Sequence, residues 1–265
     1  MDKVRIRFRK EGGLRLLSHH DVMRSFERML RRAALPFRST GGFHPTPRLV
    51  FASSLPLGVV GLAEVAEIEF TEPIDPEEVL VKLQNIAPAG ITFFSAKRIE
   101  MRLSGRAHRG LYRLPLGEES PENRSAQIAE KCQQLLAAPV LWVEREKPKR
   151  RRINIRPFID ALRLVPGYLE MDLWITQEGT ARADEVVRAL GLSTLLDQGY
   201  VLERTYLEIA DELDPKDAAK GPTLPDRALP NLLKEPLEGP ADNRLTNTQA
   251  PTVHWGASPN GPIVE

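Results

Sequence analysis

Ser18-His19-His20-Asp21-Val22-Met23-Arg24-Ser25-Phe26-Glu27-Arg28-Met29-Leu30-Arg31-Arg32 is the stretch on which the fold turns. Val22, Phe26, Met29 and Ala33 recur at spacings of three and four, the mark of a helix with one apolar face. Ser18 stands where an N-cap belongs. Asp21, three residues on, completes a capping box and favours the helix dipole. The expected helix spans residues 18–34. Its opposite face carries His20, Arg24, Glu27, Arg28 and Arg31. At ~100° per residue, Arg24, Arg28, Arg31 and Arg32 fall within about 120° of one another. A core helix can snorkel one or two arginines, whereas so dense a stripe requires counter-charge or solvent.

Strand patterns lie on both sides of this helix. In residues 3–9 Val4, Ile6 and Phe8 alternate with Arg5, Arg7 and Arg9, which predicts a strand with one cationic face. After the helix, Gly41-Gly42-Phe43-His44-Pro45-Thr46-Pro47 is a stiff loop rich in turn residues. Strands are expected at 48–53 and 63–70, a helix at 76–86 and a strand at 91–99. The order strand, helix, strand, strand, helix, strand is that of a ferredoxin-like βαββαβ unit.

The chain then repeats the pattern. A strand is expected at 109–116, a helix at 122–137, a short strand at 140–145 and a basic loop at 147–152. A hairpin at 158–165 and 168–175 turns on Pro166-Gly167, the order a type II turn requires. A helix at 181–190 and a strand at 200–209 follow. The expected fold is α+β, with two tandem ferredoxin-like domains at residues 1–103 and 107–210. From residue 211 prolines recur and apolar periodicity is absent, so 211–265 is expected to be a disordered tail.

Net charge over the 265 residues is only +1, but it is unevenly spread. Residues 1–48 carry +8, residues 145–156 carry +6 and residues 211–265 carry −4. Cys132 is the only cysteine, which excludes an internal disulfide and any cysteine-rich metal motif. It falls on an apolar helix face and is expected to be an inert core thiol. The N-terminus opens into a charged strand, and no run approaches the ~20 apolar residues needed to span a bilayer. A soluble cytoplasmic protein without membrane association is expected.

His19, His20 and His44 come close in sequence, but none has the i, i+4 spacing of helical zinc ligands, so no metal site is expected. No phosphate-binding glycine motif or nucleophile motif is present. An enzyme acting on RNA or a nucleotide would have to use His19 or His44 as general acid or base, with Asp21 orienting it. The basic clusters are the better signal. Arg24, Arg28, Arg31 and Arg32 on one unit, and Lys149, Arg150, Arg151 and Arg152 on the other, suit phosphate groups, and Phe43 suits stacking on an unpaired base. Ser18, Phe43 and His44 would shape a pocket at the helix start. Two plainer readings compete: arginines neutralised by Glu27, Glu64 or Glu67 inside the fold, and a protein-interaction scaffold marked by an exposed apolar patch.

Leu17-Ser18-His19 and Asp21 with Arg24, Arg28, Arg31 and Arg32, then Gly42-Phe43, Pro45 and Pro47, Phe51, Leu55-Pro56-Leu57-Gly58, Glu64 and Glu67 resemble the radical-SAM-linked protein family. Ile153-Asn154-Ile155-Arg156-Pro157-Phe158-Ile159, Gly179-Thr180-Ala181-Arg182 and Arg204-Thr205 extend the resemblance to about residue 209. It implies a bacterial domain of unknown function working beside a radical SAM protein, in RNA or ribosome metabolism. A single cysteine cannot hold an iron–sulfur cluster, so the cluster and S-adenosylmethionine are expected only on that separate partner. The expected function is thus a non-catalytic RNA-binding or substrate-presenting module.

Overall fold

The computed structural model describes residues 1–117, 122–146, 149–224 and 233–236. The alternating N-terminal segment forms strand β1 (Asp2–Lys10), and Ser18 caps helix α1 (His19–Arg32), accepting from the Asp21 amide. Strands β2 (Leu49–Phe51) and β3 (Val60–Phe70), helix α2 (Pro76–Gln84) and strand β4 (Ile91–Ile99) follow. The second half contains β5 (Ala107–Pro115), α3 (Glu122–Ala137), β6 (Trp142–Arg145), β7 (Arg151–Asn154), β8 (Ile159–Val165) and β9 (Tyr168–Trp174). Helices α4 (Ala183–Ala189) and α5 (Ser193–Asp197), strand β10 (Glu203–Ile209), the short helix α6 (Pro215–Ala218) and strand β11 (Lys234–Pro236) complete it.

The result is a mixed α+β fold on one large, mostly antiparallel sheet. Its order is β4-β1-β3-β10-β5-β9-β8, with β2 also paired to β3. β3 joins the halves because it is long enough to serve two neighbours. β2 pairs along its C-terminal part, from Ala66 to Ile68, while β10 pairs in parallel at Val60 and Gly61. Each half has its own core. Val22, Phe26, Met29 and Leu30 of α1 pack on Val4, Ile6, Phe8, Ile68 and Phe93, with Phe26 edge-on to Phe8 at 4.9 Å and to Phe93 at 5.5 Å. Burying each such side chain stabilises by about 1.5–3 kcal/mol. The other core gathers β5, α3, the β8–β9 hairpin and α4, and includes Cys132.

Three expectations shift. The basic loop at 147–152 is in part strand: β7 pairs with β6, and with β11 on its other edge, as a separate three-stranded sheet. Packing explains this, since Ile153 and Asn154 are buried and the Asn154 Oδ1 accepts from the amides of Leu141 and Arg156. Residues 193–197 form a helix (α5) that lacked a distinct sequence signal. Within the segment expected as a tail, Asp211 and Glu212 close a 3-10 turn and sit against β1, because their carboxylates meet its arginines. Residues 225–232 and 237–265 of that segment lie outside the described residues, as does Lys147. Among the described residues no helix is long and apolar enough to cross a membrane.

Candidate functional site

Strand and helix geometry divide the arginines into two populations. On the sheet, cross-strand neighbours stand about 5 Å apart, so a strand arginine meets whatever the adjacent strand presents. Arg5 lies opposite Glu67 and donates to it through Nε at 2.9 Å and Nη2 at 2.7 Å. The same guanidinium reaches Asp211 at 2.8 Å and Glu212 at 2.9 Å. Glu212 also receives Arg7 and Lys97. Burial alone would raise the Glu212 pKa, but hydrogen bonds from Lys97, Arg5 and Arg7 outweigh it and hold the carboxyl down at about 2. Farther along the sheet Arg109 joins Glu208 and Asp160, Arg113 joins Glu203, and Arg163 grips Asp172 through both oxygens at 2.9 Å.

At the seam between the halves Arg204 of β10 is 1% exposed and pairs with Glu64 of β3, with Ser53 and the Tyr112 hydroxyl completing its surroundings. Burial opposes its charge, but the facing Glu64 and Tyr112 more than offset that, so its pKa is raised. Gly61 makes room for this pair. A Cβ there would come within 2.6 Å of the Glu64 Cγ. Lys10 is buried nearby, donating to the Leu17 carbonyl at 3.1 Å, and burial lowers its pKa, as does Arg204. His19 closes the cluster from the start of α1, its ring edge-on to Phe51 at 5.4 Å. Burial lowers the His19 pKa, helped by His20 and Lys10. The pocket lined by Phe8, Lys10, His19, Phe51, Ser53 and Glu64 has room for about one water molecule, so it is a structural seam rather than a substrate cavity.

The helix surface is different. Arg24, Arg28, Arg31 and Arg32 are all exposed. Arg24 has only a long 3.8 Å contact with Asp21, and among the described residues Arg28 and Arg32 have no hydrogen bond or ion pair. Arg31 donates to Glu27 at 2.9 Å and to the Pro45 carbonyl at 3.2 Å, which ties the 39–47 loop to α1. Phe43, in that loop, is fully exposed, and His44 beside it is exposed. Arg38 and Arg48 share Glu69 at the loop's root.

The second basic cluster is more engaged. Arg150 reaches Glu144 at 3.1 Å and Glu146 at 3.6 Å, and Arg152 lies over the Trp142 ring at 5.2 Å. Arg151 is half-buried, and Lys149 is exposed. Arg156 turns inward and donates to the carbonyls of Leu136 and Ile159. Ser18 donates to Asp21 at 2.6 Å, and that bond leads the causes that lower the Asp21 pKa. His19, Asp21 and His44 are not joined to one another by hydrogen bonds, so the structure assembles no acid–base constellation from them. Nor are any three His, Cys, Asp or Glu side chains among the described residues grouped so as to hold a metal ion.

Sequence reasoning missed the Arg204–Glu64–Lys10 cluster, although Glu64 and Arg204 stood among the residues carrying the family resemblance. No local pattern signals a pair 140 positions apart.

No curated protein matches the chain. A solved structure described as an unknown protein from Galdieria sulphuraria aligns with a TM-score of 0.22 and 10% identity, over 78% of this chain and 98% of that one. Residues 3–187 match the family described as an uncharacterized protein conserved in bacteria (DUF2344), and the chain belongs to that family.

Proposed function

We propose that this protein is a non-catalytic module that binds RNA through the outer face of α1, presenting it to a separate radical SAM protein. The observation carrying the reading is the contrast in charge pairing. Most arginines along the sheet are met by carboxylates of the fold, Arg9 over Phe94 being an exception, whereas Arg28 and Arg32 stand in solvent without a counter-charge among the described residues and Arg24 has only the 3.8 Å contact with Asp21. Guanidinium groups in this state suit phosphate oxygens, and their binding releases condensed counterions. Lys149 and Arg150 to Arg152 are a secondary contact in this reading, since several of them are already engaged by Glu144, Glu146 and Trp142. The resemblance to radical-SAM-linked proteins supplies the partner and the bacterial cytoplasm as the setting.

Two ferredoxin-like units, residues 1–103 and 107–210, form the scaffold in this reading. Its support is the recurring strand order, β4-β1-β3-β2 in one half and β10-β5-β9-β8 in the other, with the β6–β7 hairpin as an insertion.

The test is binding of a fluorescent RNA oligonucleotide across a salt series. Wild-type affinity is expected to fall linearly in log–log form, with a slope near −0.7 per phosphate contacted for a single strand. The triple variant Arg24→Glu, Arg28→Glu, Arg32→Glu is expected to lose at least ~100-fold in affinity at low salt and most of that slope. Unchanged binding by the variant would refute α1 as the contact surface.

A further inference from the structure

The 39–47 loop shows what kind of nucleic acid the α1 face would select. Its base is closed by the Thr40 amide donating to the Thr46 carbonyl at 2.8 Å and the Thr46 amide donating to Thr40 Oγ1 at 3.1 Å, with Ser39 bridged to a buried Pro47. Below that, Arg38 and Arg48 are bonded backbone to backbone with Glu69 of β3. Gly42 has φ of +111°, a conformation that side chains rarely adopt, so the tip's shape depends on glycine. The segment is therefore a rooted hairpin, and it holds Phe43 fully in water.

A phenylalanine so placed forgoes about 1.5–3 kcal/mol of burial and does nothing for either core. The loop that holds it is tied to the basic helix. Arg31 of the basic stripe bonds the carbonyl of Pro45, two residues from Phe43, at 3.2 Å, which ties the loop to α1. An exposed aromatic ring on a loop tied to a basic helix supplies the two parts, a stacking platform and phosphate-neutralising groups, used for unpaired strands. Bases within a duplex are stacked on both faces and offer no ring surface to Phe43.

We infer that Phe43 stacks on an unpaired base and that the ligand of the α1 face is single-stranded rather than duplex RNA. This rests on the proposed RNA-binding reading and adds to it the substrate class. An acidic protein surface with an apolar pocket for Phe43 is the competing occupant, and the experiment below distinguishes it.

The experiment compares one 20-nucleotide RNA, single-stranded and annealed to its complement, against wild type, Phe43→Ala and Phe43→Trp. Wild type is expected to favour the single strand. Phe43→Ala should weaken single-strand binding about tenfold, corresponding to ~1.4 kcal/mol, with duplex binding and the salt slope unchanged. Phe43→Trp should retain or strengthen single-strand binding. Equal binding of both forms, or no effect of Phe43→Ala, overturns the stacking inference while leaving phosphate binding by α1 intact. Absence of binding to either form overturns both. Dependence on Phe43 of a polypeptide partner, with RNA binding unaffected, also overturns it. Because Phe43 is exposed, the urea midpoint of each variant should equal that of wild type, which separates lost contact from lost fold.

Discussion

Arg204 and Arg28 are the same side chain in opposite circumstances. Arg204 lies at the seam between the two halves, 1% exposed, with Glu64 facing it and Tyr112 and Ser53 filling the remaining donor directions. Arg28 lies on the outer face of α1, in solvent and without a close partner among the described residues. The difference teaches that the positive charge concentrated in residues 1–48 is not a single feature. One part of it, Arg5 and Arg7 in β1, is consumed by the fold, while most of the part on α1 is left available.

The sharpest break of this comparison is at the seam. Removing one member of a buried pair leaves an uncompensated charge, so Arg204→Met is expected to cost about 3–5 kcal/mol in urea unfolding. The double variant Arg204→Met, Glu64→Leu should recover most of that loss, because apolar replacements of a buried pair are often neutral. A small loss for Arg204→Met would mean that the seam is wetter than its burial indicates.

A smaller effect is expected at Glu212. Glu212→Gln weakens charge-assisted bonds from Arg5, Arg7 and Lys97 and should cost about 2 kcal/mol near neutral pH. The pH dependence carries its own sign. The folded carboxyl titrates at about 2, below its ordinary value of 4.5, so its contribution is fully present above about pH 4.5 and is lost as pH falls toward 2. Wild type should therefore lose stability over that window more steeply than Glu212→Gln, as followed by urea midpoints at successive pH values.

The smallest effect on stability belongs to the helix surface. Arg24→Glu, Arg28→Glu, Arg32→Glu should shift stability by no more than about 0.5 kcal/mol per site, even though the same variant is expected to lose at least ~100-fold in RNA affinity at low salt. If this variant unfolded, α1 would be a structural cation face after all and the two populations of arginine would merge.

Most elements were legible in advance. The alternation of β1, the Ser18 cap and apolar stripe of α1, and the Pro166-Gly167 turn, where Gly167 has φ of +78°, are local features that the chain carries within a few residues. Strand β7 and helix α5 were not legible. β7 is basic in sequence and becomes a strand only because β6 and the core beneath it accept Ile153 and Asn154. The exposure of the α1 arginines could be read from their position opposite an apolar face. Glu64 and Glu67 were candidates for neutralising arginines inside the fold, but which arginines they would meet, Arg204 and Arg5, could not be read.

By itself the sequence determined most of the helices and strands, and that α1 presents arginines away from its core, because periods of 2 and 3.6 residues encode faces locally. Only the tertiary structure decided which charges are neutralised. Arg5 meets Asp211 and Glu212 across 206 and 207 positions, and Arg204 meets Glu64 across 140. Those meetings follow from the position of β10 beside β3 and the return of the chain against β1. Burial and counter-charge depend on such neighbours in space, which local periodicity does not encode.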